Sequence, residues 1–312
     1  MNSEVNVRIN QKLIRELGQT ILTAIYDTQV VEIMLNSDGQ LWIESLDRGM
    51  EHKGKLAPET AEALLSTIAT SLNTTITRQN PILEGELLID GSRFEGLIPP
   101  VVKNPVFCIR KRASKLYTLD EYVKTGVISF SQKMVIQKAV ANRKNILVVG
   151  GTGTGKTTFT NAIIDQMVKL TPHHRLVIIE DTSEIQCAAK NAVTLRTSDD
   201  VDMKRLLRAT MRLSPDRILV GEVRGGEALS LLKAWNTGHP GGVATIHANS
   251  AAAGLVRLEQ LISEVSHKPM ESLIAEAVDL VISMEKTTAG RKVKEIIQVT
   301  GFDPSGYGIT NL

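Results

Sequence analysis

Residues 145–158 read Asn-Ile-Leu-Val-Val-Gly-Gly-Thr-Gly-Thr-Gly-Lys-Thr-Thr. An apolar run, Ile146–Val149, enters a glycine-rich turn that leads into a helical pattern. The turn, Gly150-Gly151-Thr152-Gly153-Thr154-Gly155-Lys156-Thr157, satisfies G-x-x-x-x-G-K-[ST]. Its glycines let backbone N–H groups turn inward around a phosphate, and the following helix adds the positive end of its dipole. Lys156 supplies a point charge for the β- and γ-phosphates, and the Thr157 hydroxyl, followed by Thr158, suits a Mg²⁺ ligand. A dinucleotide fingerprint fits worse. After Gly151 and Gly153, the third glycine of G-x-G-x-x-G would fall on Lys156.

From this strand–loop–helix unit the pattern extends both ways. Ser131–Asn142, Lys156–Val168, Asp202–Leu213, Gly226–Trp235 and Ala251–Glu264 have helical periodicity. They alternate with the apolar runs Ile146–Val149, Leu176–Ile179, Ile218–Val220 and Val243–Ile246. Such alternation predicts a mainly parallel sheet covered by helices. Leu280–Met284 and Val293–Thr300, around Thr287–Gly290, predict an added hairpin.

The first third differs. Leu13, Leu17, Ile21 and Ile25 recur every fourth residue, as on a buried helix face. Val30–Leu35 and Leu41–Glu44 flank the hairpin signal Asn36-Ser37-Asp38-Gly39. Pro58 opens a second helix with Ala61, Leu64, Leu65, Ile68 and Leu72 on one side. A second hairpin is expected from Glu86–Ile89, a turn at Asp90-Gly91 and Arg93–Ile98, and Val106–Arg110 reads as a further strand. The expected organisation is α/β throughout: a small N-terminal α/β domain at 1–112, a polar linker at 113–130, and a phosphate-loop domain at 131–312.

Composition limits the function classes. The 312 residues carry a net charge of +2, 42% hydrophobic and 22% charged residues. That balance suits an ordinary globular chain and gives no general nucleic-acid coat or polybasic tail. The two cysteines, Cys108 and Cys187, cannot build a disulfide framework or a cysteine-rich zinc module. No apolar run approaches the ~20 residues of a membrane span, and the N-terminus lacks a signal-peptide core. A soluble, cytosolic protein is expected.

Hydrolysis of a bound triphosphate needs carboxylates for water and metal and positive charge for the transition state. Ligands of open α/β sheets bind beyond the carboxyl ends of strands. There the sequence places Glu180, Asp181 and Glu184 after Leu176–Ile179, and Glu222 after Ile218–Val220. Glu222 is the first candidate for orienting water or Mg²⁺, with the other three as partners; solvated loop carboxylates or helix caps are the bland alternative. Gly221 stands where a Walker B motif has its aspartate. Arg208 and Arg212, four apart on one predicted helix, share a face, and Arg224 follows Glu222. Arg110, Lys111, Arg112 and Lys115 form a basic cluster that is either solvated or a nucleotide clamp. His247, just past Val243–Ile246, reads as a γ-phosphate-sensing donor or a packed histidine, and His239 less distinctively so. Zinc is not expected, because the spacing matches no metal motif. His52, His173, His174 and His267 lie in loop contexts that carry no inference.

Together GGTGTGKT, IIEDTSEI, LLRATMRLSPDRILVGEVRGGEAL and GHPGGVATIHANS resemble the secretion-superfamily hexameric ATPases, in that family's order of phosphate loop, aspartate box, Walker B and histidine box. The resemblance covers about residues 145–250. GELLIDGSRFEGLIPPVV and FCIRKRAS resemble the type IV secretion and conjugal-transfer branch, of the TrbB type. No four-cysteine insert of type II secretion motors is present. The resemblance implies a RecA-like phosphate-loop ATPase domain and a homo-hexamer that holds ATP and Mg²⁺ between its two domains. It implies that Glu222 serves water and metal with Thr157 and Asp181, that Glu180 and Glu184 assist, and that His247 senses the γ-phosphate. Arg208 and Arg212 would lie at a subunit boundary, and Arg110 and Arg112 would approach the nucleotide. It also implies partners among inner-membrane components of a secretion or conjugation apparatus, a place at the cytoplasmic face of that membrane, and no requirement for direct nucleic-acid binding. A pilus or tight-adherence motor, a nucleic-acid translocase and a non-hydrolysing nucleotide switch stay open as alternatives.

Overall fold

The computed structural model describes residues 3–112, 116–198, 200–288 and 290–312. The chain divides into two compact units, Met1–Lys115 and Leu116–Leu312.

In the first unit, helices α1 (Ser3–Tyr26, bent at Gly18) and α2 (Pro58–Ser71) accompany six strands. These are β1 (Val30–Leu35), β2 (Gln40–Ser45), β3 (Gly49–Lys55), β4 (Ile82–Glu86), β5 (Arg93–Leu97) and β6 (Val106–Arg110). They form one antiparallel sheet in the order β3-β2-β1-β6-β5-β4. The expected helix faces are the buried ones. Leu13, Leu17, Ile21 and Ile25 of α1 join Leu64, Leu65 and Ile68 of α2 against Ile33, Ile43, Phe94 and Ile109. Each such side chain contributes about 1.5–3 kcal/mol of burial.

Two expectations need correcting here. The second hairpin is built from β4 and β5, paired Glu86↔Arg93, so its first strand ends where it was expected to begin. Leu87–Ser92 is instead a connection closed by the Leu87 N–H donating to Ser92 O at 2.8 Å. Leu87 is buried there, but as a loop residue, which is how the run Leu87-Leu88-Ile89 imitates a strand. Strand β3 was not anticipated. It is an edge strand of sequence GMEHKGK, mostly exposed, and carries no apolar alternation.

The second unit begins with α3 (Leu119–Lys124) and α4 (Phe130–Ala141), each opened by a capping box, on Thr118 and Ser129. Residues 116–130 are therefore no linker. Leu119, Tyr122 and Ile128 lie in a core cluster with Phe159 and Ile163, and it is their polar neighbours that gave the stretch its connector-like composition. Next come β7 (Ile146–Gly150), α5 (Lys156–Leu170), β8 (Leu176–Glu180), β9 (Ala192–Arg196), α6 (Met203–Thr210), β10 (Arg217–Val220) and α7 (Glu227–Asn236). The chain ends with β11 (Val243–Ile246), α8 (Ala251–Ser263), α9 (Glu271–Ala277), β12 (Leu280–Thr287), β13 (Gly290–Asp303) and β14 (Gly306–Asn311).

The eight strands run β14-β13-β12-β7-β11-β10-β8-β9, parallel from β12 to β9 and antiparallel at β12-β13-β14. Alternate residues face opposite sides of a strand. Ile146, Val148, Leu176 and Ile178 thus pack with α3, α4 and α5. Leu147, Val149, Ile179 and Val220 pack with α6, α7, α8 and α9. The result is three layers, with every parallel strand end at one edge. Arg212 departs from expectation: α6 stops at Thr210, and Ser214 (φ 50) with Pro215 turns the chain toward β10. Arg208 and Arg212 do not share a helix face.

Candidate functional site

The carboxyl edge of the large sheet carries several of the candidate residues in strand order. After β7 the loop turns through Gly153 (φ 72) and Gly155 (φ 88), both left-handed, and Gly155 is the residue from which α5 starts. Thr154 Oγ1 donates to Gly151 O at 2.9 Å, closing the turn. Thr152 is exposed, and Thr157 and Thr158 are half-buried at the helix start. Lys156 is buried, and its ammonium donates to the carbonyls of Gly150 (2.9 Å) and Gly151 (3.0 Å).

From Lys156 a line of contacts crosses the strand ends. Its Nζ lies 3.3 Å from His247 Nδ1, past β11. An ammonium can only donate, so Nδ1 accepts and the ring proton belongs on Nε2. That nitrogen lies 2.7 Å from Glu222 Oε1, past β10, close but out of line for a hydrogen bond. Glu222 Oε2 accepts from Arg224 Nη2 (2.6 Å) and Nε (2.9 Å). Arg224 Nη1 reaches Asp181 Oδ2 at 3.5 Å, past β8, and Asp181 Oδ1 accepts from Thr197 Oγ1 at 3.1 Å, past β9. Strands β7, β11, β10, β8 and β9 each contribute one step, in the order in which they lie. Two bonds fix the Glu222 segment on β11: Thr245 Oγ1 to Gly221 O at 2.6 Å, and the Val223 N–H to Thr245 O at 2.9 Å.

Glu180 plays a different part. It is 2% exposed, and its Oε1 accepts the N–H groups of Glu184 (2.9 Å) and Ile185 (2.7 Å), shaping the aspartate-box loop. Its Oε2 is buried without a hydrogen-bond partner. Burial raises its pKa above the usual glutamate value, against the two N–H donors that lower it. At Gly221, which stands in place of a Walker B aspartate, a Cβ would lie 3.2 Å from Glu180 Cγ, a tight approach. Glu184 contributes backbone to this loop, its carbonyl accepting from Asn161 Nδ2 at 3.2 Å. Asn161 Oδ1 in turn accepts from the Gln186 N–H at 3.0 Å.

The remaining candidates lie elsewhere. Arg208 and Arg212 are exposed; Arg208 lines a shallow surface depression with Asp200, Asp202, Lys204 and Arg205 and stays outside the line of contacts. In the first unit Arg110 Nε sits 3.7 Å from Glu32 Oε1, and Arg112 Nη2 sits 2.8 Å from Glu86 Oε2. Lys115 falls outside the described residues. His239 belongs to the opposite edge of the sheet, its Nδ1 3.0 Å from Pro215 O. Among the described residues no group of three or more His, Cys, Asp or Glu side chains is placed to hold a metal, and no helix is long and apolar enough to cross a membrane. Both cysteines are unpaired thiols whose pKa burial raises, Cys108 to about 11.

Sequence reasoning passed over three residues. Arg224, noted only as following Glu222, is the bridge between two strand ends. Asn161 has a legible signal, an amide on the buried face of the helix after the loop. Arg291, on β13, donates from Nε to Gly153 O at 2.8 Å; a separation of 138 positions leaves no local trace.

An α/β unit with a phosphate loop at one edge and a histidine–glutamate pair on the next two strands defines a nucleotide-binding class of protein. Residues 15–294 match the family described as type II/IV secretion system protein, and the chain belongs to that family. It is 55% identical to the probable conjugal transfer protein TrbB of Sinorhizobium fredii, over 97% of this chain and 93% of that one. It is 53% identical to the conjugal transfer protein TrbB of Rhizobium radiobacter, over 96% and 93%. Among solved structures, the pilus retraction motor PilT with bound ADP shares the fold at a TM-score of 0.63. That match has 20% identity and covers 88% of this chain and 80% of the other.

Proposed function

We propose that the chain binds and hydrolyses ATP with Mg²⁺ and works as a ring-shaped motor of conjugal transfer or type IV secretion. The observation that carries the reading is the line of close contacts from the phosphate-loop ammonium through His247 to Glu222. It joins the group suited to hold a terminal phosphate to the carboxylate suited to orient water. The names of the TrbB relatives, matched along nearly their whole length, support the conjugal branch.

The residues fit the nucleotide and the metal. The inward-turned loop and the start of α5 offer N–H groups to phosphate oxygens. Thr157 would hold Mg²⁺ together with those oxygens. Glu222 and Asp181 would act on its water shell, a mode that needs no all-protein cage. Mg²⁺, when bound, offsets phosphate charge. Glu180 keeps the aspartate-box loop in place, Glu184 lies in that loop, and Arg224 neutralises Glu222 and Asp181. His247 would report on the γ-phosphate by exchanging its Lys156 contact for a phosphate one. A homo-hexamer docked at the cytoplasmic face of the inner membrane, on components of a secretion or conjugation apparatus, completes the proposal.

Phosphate release by the purified chain and by Lys156→Ala, with and without single-stranded DNA or anionic vesicles, tests it together with solution mass in ATP. The expected result is Lys156-dependent release from a six-subunit species. Absence of adenine-nucleotide binding would overturn the reading, and turnover that requires DNA would replace it with a nucleic-acid translocase.

A further inference from the structure

Arg291 stands outside every motif. It opens the second strand of the terminal hairpin, paired with Lys286 on β12, and β12 itself runs parallel to β7 with Met284 opposite Gly150. The hairpin is thus built directly onto the phosphate-loop strand. From it Arg291 Nε–H donates to the Gly153 carbonyl at 2.8 Å. Its stem lies against the helix start: a Cβ at Gly155 would stand 3.0 Å from Arg291 Cδ. The side chain therefore touches the loop at two glycines, both at positive φ. Its charge also reaches Tyr122, whose ring packs between Tyr117 and Phe159 of α5. The hairpin is fastened on that side by the Val293 N–H donating to Val127 O at 2.9 Å.

A phosphate loop binds anions only while its N–H groups point inward, which obliges some of its carbonyls to point outward. Left-handed glycines permit that arrangement without enforcing it, because glycine is free on both sides of φ = 0. A charged donor on an outward carbonyl supplies the enforcement. We infer that Arg291 is a positioning residue for the nucleotide: it holds the apex of the phosphate loop in its anion-binding conformation and so makes the terminal hairpin part of the site. The inference rests on the nucleotide-binding reading above. Because the bond is made to the loop backbone and to no phosphate, it acts on binding of di- and triphosphate alike and little on the chemical step.

The test uses the full chain, with ATP turnover and the binding of ADP carrying a fluorescent methylanthraniloyl group. Arg291→Met removes the donor, and Arg291→Lys keeps a cationic donor able to approach the same carbonyl. Losing one charge-assisted hydrogen bond predicts, for Arg291→Met, about tenfold weaker ADP binding and about tenfold higher KM for ATP. Its kcat should stay within about threefold of wild type and its melting temperature unchanged. Arg291→Lys should recover most of the loss. Binding and KM within about twofold of wild type in Arg291→Met would overturn the inference, as would a parallel fall in kcat and melting temperature that Arg291→Lys does not rescue. Wild-type protein that binds no nucleotide would instead overturn the proposed function, so the two failures are distinguishable.

Discussion

The two edges of the large sheet use polar groups in opposite ways. At the amino edge the polar groups are spent mostly within the fold, although Arg143 Nε is buried there without a partner. Asn145 Oδ1 accepts the N–H groups of Gly241 (2.8 Å) and Gly242 (3.0 Å), and its Nδ2 donates to Ala277 O (2.8 Å). Arg217, fully buried, donates to Gly241 O, Val140 O and His174 Nδ1. No carboxylate completes that set. Burial first, then the neighbouring Arg143, lowers the Arg217 pKa to about 10, which still leaves it charged at neutral pH. At the carboxyl edge the polar groups form an open line, with His247 and Arg224 about half exposed and Glu180 holding a buried oxygen without a partner. One edge spends its hydrogen bonds on the fold. The other, on the function proposed above, keeps them available to a ligand.

If that division is real, substitutions at the two edges separate activity from stability. Lys156→Ala should reduce phosphate release about a thousandfold, by loss of the charge facing the transferred phosphoryl group. Its melting temperature should match wild type; a large drop would mean that the carboxyl edge also supports the fold. Glu222→Gln should slow turnover about a hundredfold with ADP affinity nearly kept. Normal hydrolysis in that variant would shift the water-orienting role to another carboxylate.

Asn145→Ala strands two N–H groups and a carbonyl at the amino edge, at about 1–3 kcal/mol for each unsatisfied buried group. A loss of about 3 kcal/mol would lower the melting temperature by roughly 6–12 °C. The KM for ATP, measured well below that temperature, should not move, and a shift in it would break the comparison.

Glu180 sharpens the contrast within the site. Its raised pKa means that the ionised carboxylate costs stability, a cost absent at low pH and incurred as pH rises through the folded-state value. Glu180→Gln keeps an acceptor for Glu184 and Ile185 and should match or exceed wild-type stability at pH 8. Glu180→Ala, which orphans both N–H groups, should lose about 1–3 kcal/mol. The smallest effect concerns His174. Burial, with Arg217 beside it, lowers its pKa, so its neutral form favours folding above the free-histidine value near 6.5 and the benefit fades as pH falls. His174→Gln should lose less stability between pH 7.5 and 5.5 than wild type does, as read by denaturant melts at each pH.

Much of this was legible in the sequence, and the reasons are physical. The central strands β7, β8, β10 and β11 are buried on both faces, so each reads as an unbroken apolar run. The phosphate loop, Glu222 and His247 follow those runs directly and could be placed with them. The edge strands β3, β9 and β14 are largely exposed and carry little apolar signal. The end of α6 was misjudged because helical spacing continues through Arg212, while the left-handed Ser214 that redirects the chain beyond Thr210 is a non-glycine residue. The reach of Arg224 to Asp181 and of Arg291 to Gly153 escaped because those partners are set by strand order and not by neighbourhood in the chain.

One consequence of that order concerns His247. It follows β11, the strand that separates the lysine's strand from the glutamate's. Adjacent strands lie roughly 4.8 Å apart, and the side chain here lies close to both flanks at once, accepting from Lys156 on one side and standing 2.7 Å from Glu222 on the other. An imidazole has two nitrogens on opposite sides of a rigid ring and meets that span. Serine is too short, and lysine offers nothing to accept with. The width of one inter-strand gap thus suits an imidazole at this position.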